Sequence, residues 1–138
     1  MDLGKECFML LSLFKATGQK FGVGMMTDIL RGSRNKSVLD KNFQKLEFYN
    51  KGKDHEVKFW KELFGILLAD SFIVNEYISF NNSKNVPIPK LTDKAKEFLD
   101  NSTLESASLT LSITASFENL VKKGEKIKKI KVKKFLKK

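Results

Sequence analysis

Side chains able to attack, shuttle protons or bind metal are scarce in these 138 residues, which hold one histidine, His55, and one cysteine, Cys7. His55 has no second histidine or cysteine at ligand spacing and no evident nucleophile beside it, so it reads as a solvated residue in the first turn of a helix. One cysteine excludes an intramolecular disulfide and a thiolate zinc site, and fits a reducing compartment. No GxxxxGK[ST] phosphate loop occurs, so nothing here points to nucleotide hydrolysis. Gly18, Gly22 and Gly24 follow no strand and serve as breakers rather than a dinucleotide motif.

Three groups of residues remain, and their chemistry is anion binding and stacking. The only two arginines, Arg31 and Arg34, surround a helix end in Leu30-Arg31-Gly32-Ser33. A guanidinium fork suits phosphate oxygens, and Ser33 adds a hydroxyl donor. The plain alternative is a helix C-cap with solvated arginines. Lys51-Gly52-Lys53-Asp54 leads into Phe59-Trp60-Lys61, either a functional glycine turn or a simple loop before a core tryptophan. Tyr77 and Phe80 sit near a polar strand end, where an exposed aromatic would stack on a base for about 1 to 3 kcal/mol. Most strand aromatics merely fill a core.

Charge narrows the partners. The chain carries 26 Lys and Arg against 16 Asp and Glu, for a net +10. Ten of those lysines crowd residues 121–138 against Glu125, so the tail holds +9 and the rest of the chain only +1. Within that rest, residues 31–61 net +5 and residues 92–120 net −3, so one region suits phosphate and the other does not. The tail has too much like charge to pack alone and is expected to be disordered until it binds, with Lys128, Lys129, Lys131, Lys133 and Lys134 as nonspecific contacts. No apolar run nears a membrane span and the N-terminus lacks a signal-peptide pattern, so an intracellular domain without membrane contact is expected.

The elements that must position these residues follow from apolar spacing. Cys7, Leu10, Leu11 and Phe14 mark a helix over 5–17, ended by Gly18. A shorter helix covers 21–30, and Gly32 closes it. Residues 32–53 are polar, with a short helix or 3₁₀ turn inside a long loop. Asp54 is the expected N-cap of a helix to about residue 70, carrying Trp60, Leu63, Phe64, Leu67 and Leu68. Residues 72–80 form a strand and 81–85 a turn. The stretch 86–91, broken by Pro87 and Pro89, is an edge strand at best. Thr92 caps a last short helix. Residues 104–117 fit a strand or a helix. Three helices followed by a hairpin is the order of a winged-helix domain, an α+β fold, mainly α.

The run Gln19-Lys20-Phe21-Gly22-Val23-Gly24, then Leu30-Arg31-Gly32-Ser33, Gly52-Lys53-Asp54, Phe59-Trp60-Lys61-Glu62-Leu63 and Leu91-Thr92 resembles the RQC winged-helix domain of RecQ-family DNA helicases. The likeness covers roughly residues 5–112, and the combination is far more specific than any piece. It implies a domain over 5–101 with a three-helix core and a β-hairpin wing, followed by an extension over 102–121; the lysine-rich tail over 122–138 has no clear counterpart in the family. It further implies phosphate contacts at Arg31, Ser33 and Lys61. Phe80 matches the wing-tip aromatic that wedges against a terminal base pair, with Tyr77 as second choice. Asn50 stands where the family usually has glycine, which Asn tolerates because it adopts left-handed backbone. Ser37 replaces a basic residue, and Arg34 and Lys36 beside it substitute.

The expected function is therefore structure-selective, largely sequence-independent binding of duplex and forked DNA by a monomer, with strand separation at the duplex end in repair, replication or recombination. ATP and magnesium are implied only for a helicase motor in a parent polypeptide, and no cofactor is expected in this chain. Localisation would be nuclear in a eukaryote. The alternatives are a sequence-reading winged-helix transcription regulator and a tail-driven membrane or protein interaction module.

Overall fold

The computed structural model describes residues 2–79, 85–109, 117, 118 and 122. Among them run five α-helices and one two-stranded antiparallel sheet, in the order α1 (Gly4–Ala16), α2 (Val23–Leu30), α3 (Lys36–Asp40), α4 (Val57–Ala69), β1 (Ile73–Ser79), β2 (Asn85–Leu91) and α5 (Asp93–Asp100). A 3₁₀ turn at Phe43–Lys45 follows α3. The fold is α+β and mainly helical, and the long polar loop does hold a short helix and a 3₁₀ turn.

One apolar core joins these elements. Cys7, Leu10, Leu11 and Phe14 of α1 meet Met26, Ile29 and Leu30 of α2 and Phe59, Trp60, Leu63 and Leu67 of α4. The 3.6-residue period puts each set on one helix face, and burying such side chains stabilises by roughly 1.5–3 kcal/mol apiece. Ile73, Leu91 and Ala95 bring the hairpin root and α5 against the same core, and Phe117 stacks on Phe59 at 5.2 Å.

Helix ends are made by local chemistry. After α1, Gly18 (φ 82°) and Gln19 (φ 56°) close a Schellman turn, with Gln19 N–H donating to the Phe14 carbonyl at 2.9 Å. After α4, Ser71 (φ 66°) does the same with Phe72 N–H on the Leu67 carbonyl. Thr92 caps α5 as expected, its hydroxyl accepting from Ala95 N–H.

Two expectations are corrected. Asp54 is not the N-cap of α4: the helix begins at Val57 with Glu56 at the cap, after further turn residues. His55 is accordingly not a solvated helix residue. It is 4% exposed, stacked on Phe59 at 3.8 Å, with Nε2 at 3.6 Å from the Glu6 carboxylate. The segment 86–91, expected to be an edge strand at best, is one: it pairs with β1 along its whole length, from Ile73 opposite Leu91 to Ile78 opposite Val86. Pro87, Pro89 and Leu91 turn their nitrogens to one edge, the outer one, as Leu91 N–H shows by donating away from β1. There the missing proline N–H groups break no ladder bond.

Residues 104–109 form neither strand nor helix and are tied to the start of the chain. Leu3 N–H donates to the Leu109 carbonyl, and the Asp2 carboxylate accepts from Leu109 N–H, Gly4 N–H and the Ser108 hydroxyl at 2.7–2.8 Å. These bonds, led by that from Leu109, hold the Asp2 carboxyl below its ordinary value of 3.8. A depressed folded-state pKa contributes stability present above the unfolded value and lost as pH falls through the folded one. Asp2→Asn is thus expected to destabilise by at most about 1 kcal/mol at neutral pH, since the carboxylate is exposed. Urea titrations of both proteins should converge as pH is lowered through the acid range, and a gap that persists there would refute the assignment.

Candidate nucleic-acid interface

The helix end at Leu30-Arg31-Gly32-Ser33 is a third Schellman turn. Gly32 (φ 73°) donates N–H to the Ile29 carbonyl and Ser33 N–H donates to the Asp28 carbonyl. Only glycine fits here, because the φ is left-handed and a Cβ would run into the Asn50 side chain.

This turn is stitched to the loop that precedes α4. Asn50 N–H donates to the Ile29 carbonyl and Gly52 N–H to the Leu30 carbonyl, each at 2.8 Å. The Tyr49 hydroxyl lies 2.8 Å from the carbonyl oxygens of both Gly32 and Ser33. Asn50 adopts φ 64°, the left-handed backbone that its place in the motif requires. Trp60, fully buried, donates its indole N–H to the Gly52 carbonyl at 3.1 Å. The two motifs separated by some twenty residues are therefore one structural unit.

Arg31 is exposed, and one terminal nitrogen of its guanidinium donates to the backbone carbonyls of Lys53 and His55. The side chain is thereby aimed along the loop toward the start of α4, with its remaining donors on a rigid planar fork. Ser33 accepts from Asn35 N–H at 3.2 Å through its hydroxyl oxygen, which leaves the hydroxyl proton to donate. Asn35 caps α3 by accepting from Val38 N–H and also donates to Asp28. Arg34 and Lys36 flank that cap and are exposed. Lys61 is exposed on α4, with Lys58 three residues earlier and so neighbouring on the same helix face.

The hairpin supplies the aromatic. Tyr77 is 63% exposed on β1, opposite Pro87. Phe80 and the tail lysines Lys128, Lys129, Lys131, Lys133 and Lys134 lie outside the described residues. Three side chains that shape this surface were given no such role in the sequence: Tyr49, read only as an apolar anchor, His55 and Gln19. The side-chain partners of Tyr49 and Gln19 lie 16 to 72 residues away, and His55 faces Glu6 49 residues earlier, beyond any local pattern.

Chemistry other than anion binding finds little support. Cys7 is fully buried, and burial pushes its thiol far up, so no thiolate nucleophile is available at neutral pH. Among the described residues no group of three or more His, Cys, Asp or Glu is placed to hold a metal ion, and no helix is long and apolar enough to cross a membrane. A cleft of about 350 Å³ beside α1 is lined by Lys5 and Lys51 but also by Glu6, Glu47 and Glu105, a balance unsuited to phosphate.

The family model for the RQC domain matches residues 1–119. The chain is 30% identical over 105 residues to the bifunctional 3'-5' exonuclease/ATP-dependent helicase WRN of Mus musculus, covering 76% of this chain and 7% of that protein. It is 29% identical over 107 residues to a putative ATP-dependent RNA helicase of Acanthamoeba polyphaga mimivirus, 76% of this chain and 19% of that one. Against the ATP-dependent DNA helicase RecQ of Pasteurella multocida it is 30% identical over 90 residues, 65% and 13% respectively. The chain thus spans a fifth or less of the length of these relatives. With a family match over residues 1–119 and the motif residues locked into one unit, the chain belongs to the RQC domain family of RecQ-type helicases.

Proposed function

We propose that this chain is a structure-selective, largely sequence-independent DNA-binding domain of winged-helix type, acting with a RecQ helicase core in one polypeptide. Arg31, Ser33, Arg34, Lys36 and Lys61 grip duplex phosphates, and the hairpin β1–β2 is the wing, whose Phe80, or Tyr77 as second choice, wedges against the terminal base pair. The carrying observation is the bonding of the α2 end to the loop before α4, which presents the exposed Arg31 from a rigid backbone. The named residues are phosphate-binding types, whereas the exposed stripe of α4 holds Lys58 and Lys61 and lacks the Asn, Gln or Arg that address base edges. That disfavours a transcription regulator reading sequence. Unstacking a terminal pair costs a few kcal/mol, within reach of one aromatic stack and several charge-assisted contacts, so one or two pairs open without ATP. Work at DNA ends and forks places the parent in replication, repair or recombination, and in the nucleus of a eukaryote.

Binding to blunt, forked and single-stranded DNA, and to an RNA duplex, tests this reading. Forks and blunt ends should be preferred over single strands with little dependence on sequence. Phe80→Ala should lower opening of a terminal 2-aminopurine pair about five-fold or more while leaving affinity within about three-fold, given the size of one stack. Equal loss of both would remove the wedge assignment, and tighter binding to RNA duplex would redirect the substrate class.

A further inference from the structure

Resting on that reading of the hairpin as a wing, the geometry points to Gln19 as a positioning residue that fixes the angle of the hairpin on the helical body. Gln19 makes no part of the phosphate grip and carries no charge. Its place is set by α1: it closes the Schellman turn at φ 56°, held by its own N–H on the Phe14 carbonyl. From this fixed point it takes two bonds from adjacent residues of β2. Its side-chain Oε1 accepts Leu91 N–H at 2.9 Å, and its backbone carbonyl accepts the Lys90 ammonium at 2.8 Å.

The location matters more than the number of bonds. On the outer edge of β2 the nitrogens of Pro87, Pro89 and Leu91 face away from β1, and only Leu91 has a proton to donate. Gln19 is thus bonded to the single outward donor among these three, at the root of the strand. The opposite strand is held at its own root by different chemistry: Thr92 donates N–H to the Phe72 carbonyl and its hydroxyl to the Ser71 carbonyl at 2.6 Å, while Lys94 bonds the Asp70 carbonyl and lies over the Phe72 ring at 4.3 Å. The hairpin is gripped at both strand roots, β2 by the end of α1 and β1, where it leaves α4, by the start of α5. A two-stranded hairpin has little rigidity of its own. Force from a duplex end on its tip is therefore borne at these roots, and releasing the Gln19 side lets the tip swing on the other.

The full chain with Gln19→Ala and Gln19→Glu tests this. Both retain a residue at the turn, and glutamate keeps the acceptor oxygen beside Lys90. Gln19→Ala should bind blunt duplex within about two-fold of the parent yet lose most of the terminal 2-aminopurine signal at saturation, and Gln19→Glu should recover at least half of it. Hydrogen exchange on the same samples reads the clamp directly: in Gln19→Ala the amides of Val86, Ile88 and Leu91 should exchange at least about ten-fold faster while those of α1 and α4 keep their rates, with protection restored in Gln19→Glu. Unchanged exchange in the alanine variant, or no rescue by glutamate, overturns the proposal. If the parent binds duplex but leaves the terminal pair closed, the wedge reading fails, and the exchange experiment still decides the clamp. A general loss of protection in α1 and α4 would show Gln19 to be merely structural and would also overturn it.

Discussion

Gly52→Ala is expected to cost about 3 kcal/mol of folding stability or more. An added Cβ would sit 2.6 Å from Cζ2 of Trp60 and 2.9 Å from Cβ of Leu30, well inside van der Waals contact. Neither neighbour can retreat. Trp60 is fully buried, with Phe59 edge-on at 5.0 Å and His55 at 5.6 Å, and Leu30 is part of α2. Overpacking of this kind costs roughly 1–3 kcal/mol, and displacing the indole also strains its bond to the Gly52 carbonyl, worth about 1 kcal/mol. Against a total stability on the order of 5–15 kcal/mol this is a large fraction. Gly65→Ala gives the opposing control, because nothing lies within 4 Å of its added Cβ and it is exposed within α4. There alanine should stabilise by roughly 1 kcal/mol through helix propensity. Urea melts of the three proteins decide the matter, and a Gly52→Ala loss under about 1 kcal/mol would show that the loop and α2 can part without penalty.

The same pair of residues shows why much of this molecule could be read from its sequence. The glycine, the tryptophan and the Leu30-Arg31-Gly32-Ser33 turn each carry a local signature, and their combination is rare because the three must fit one another in space. Helix faces, the glycine stops and the Thr92 cap are likewise local, governed by period and by the nearest few residues. The misjudged features were governed from far away. Asp54 has the chemistry of a cap, but the backbone there continues in turns, since Gly52 must bond α2 and the carbonyls of Lys53 and His55 must meet Arg31. His55 is drawn inside by Phe59 and by Glu6, on a helix 49 residues earlier. The prolines of β2, by contrast, did mark an edge strand, although period alone does not say which edge their nitrogens face. Charge counting was informative only after division by segment: the arginines at the α2 end lie in the folded region of positive excess, while most of the headline charge belongs to residues 123–138, outside the described structure.

Arg31→Ala is expected to weaken binding to every duplex by roughly 10- to 100-fold, from the loss of a charge-assisted hydrogen bond of about 1.5–3 kcal/mol at about 1.4 kcal/mol per decade. Two roles meet in this side chain, a phosphate contact proposed for its exposed donors and a backbone tie to Lys53 and His55 that orients it. Salt dependence separates them. Removing a phosphate contact lowers the slope of log affinity against log salt by about one, whatever the DNA sequence, because one fewer counterion is released. Losing only the tie leaves the number of phosphate contacts, and so the slope, where it was. Arg31→Lys sharpens the distinction: it preserves the charge and hence the slope, but a lysine ammonium lacks the planar fork that serves two carbonyls and a phosphate together, so part of the affinity is still lost. Lys61→Ala, on an exposed position of α4, should lower the slope by a similar amount with no change in urea midpoint. An unchanged slope in Arg31→Ala would assign the arginine to the loop alone and move the phosphate grip to Ser33, Arg34, Lys36 and Lys61.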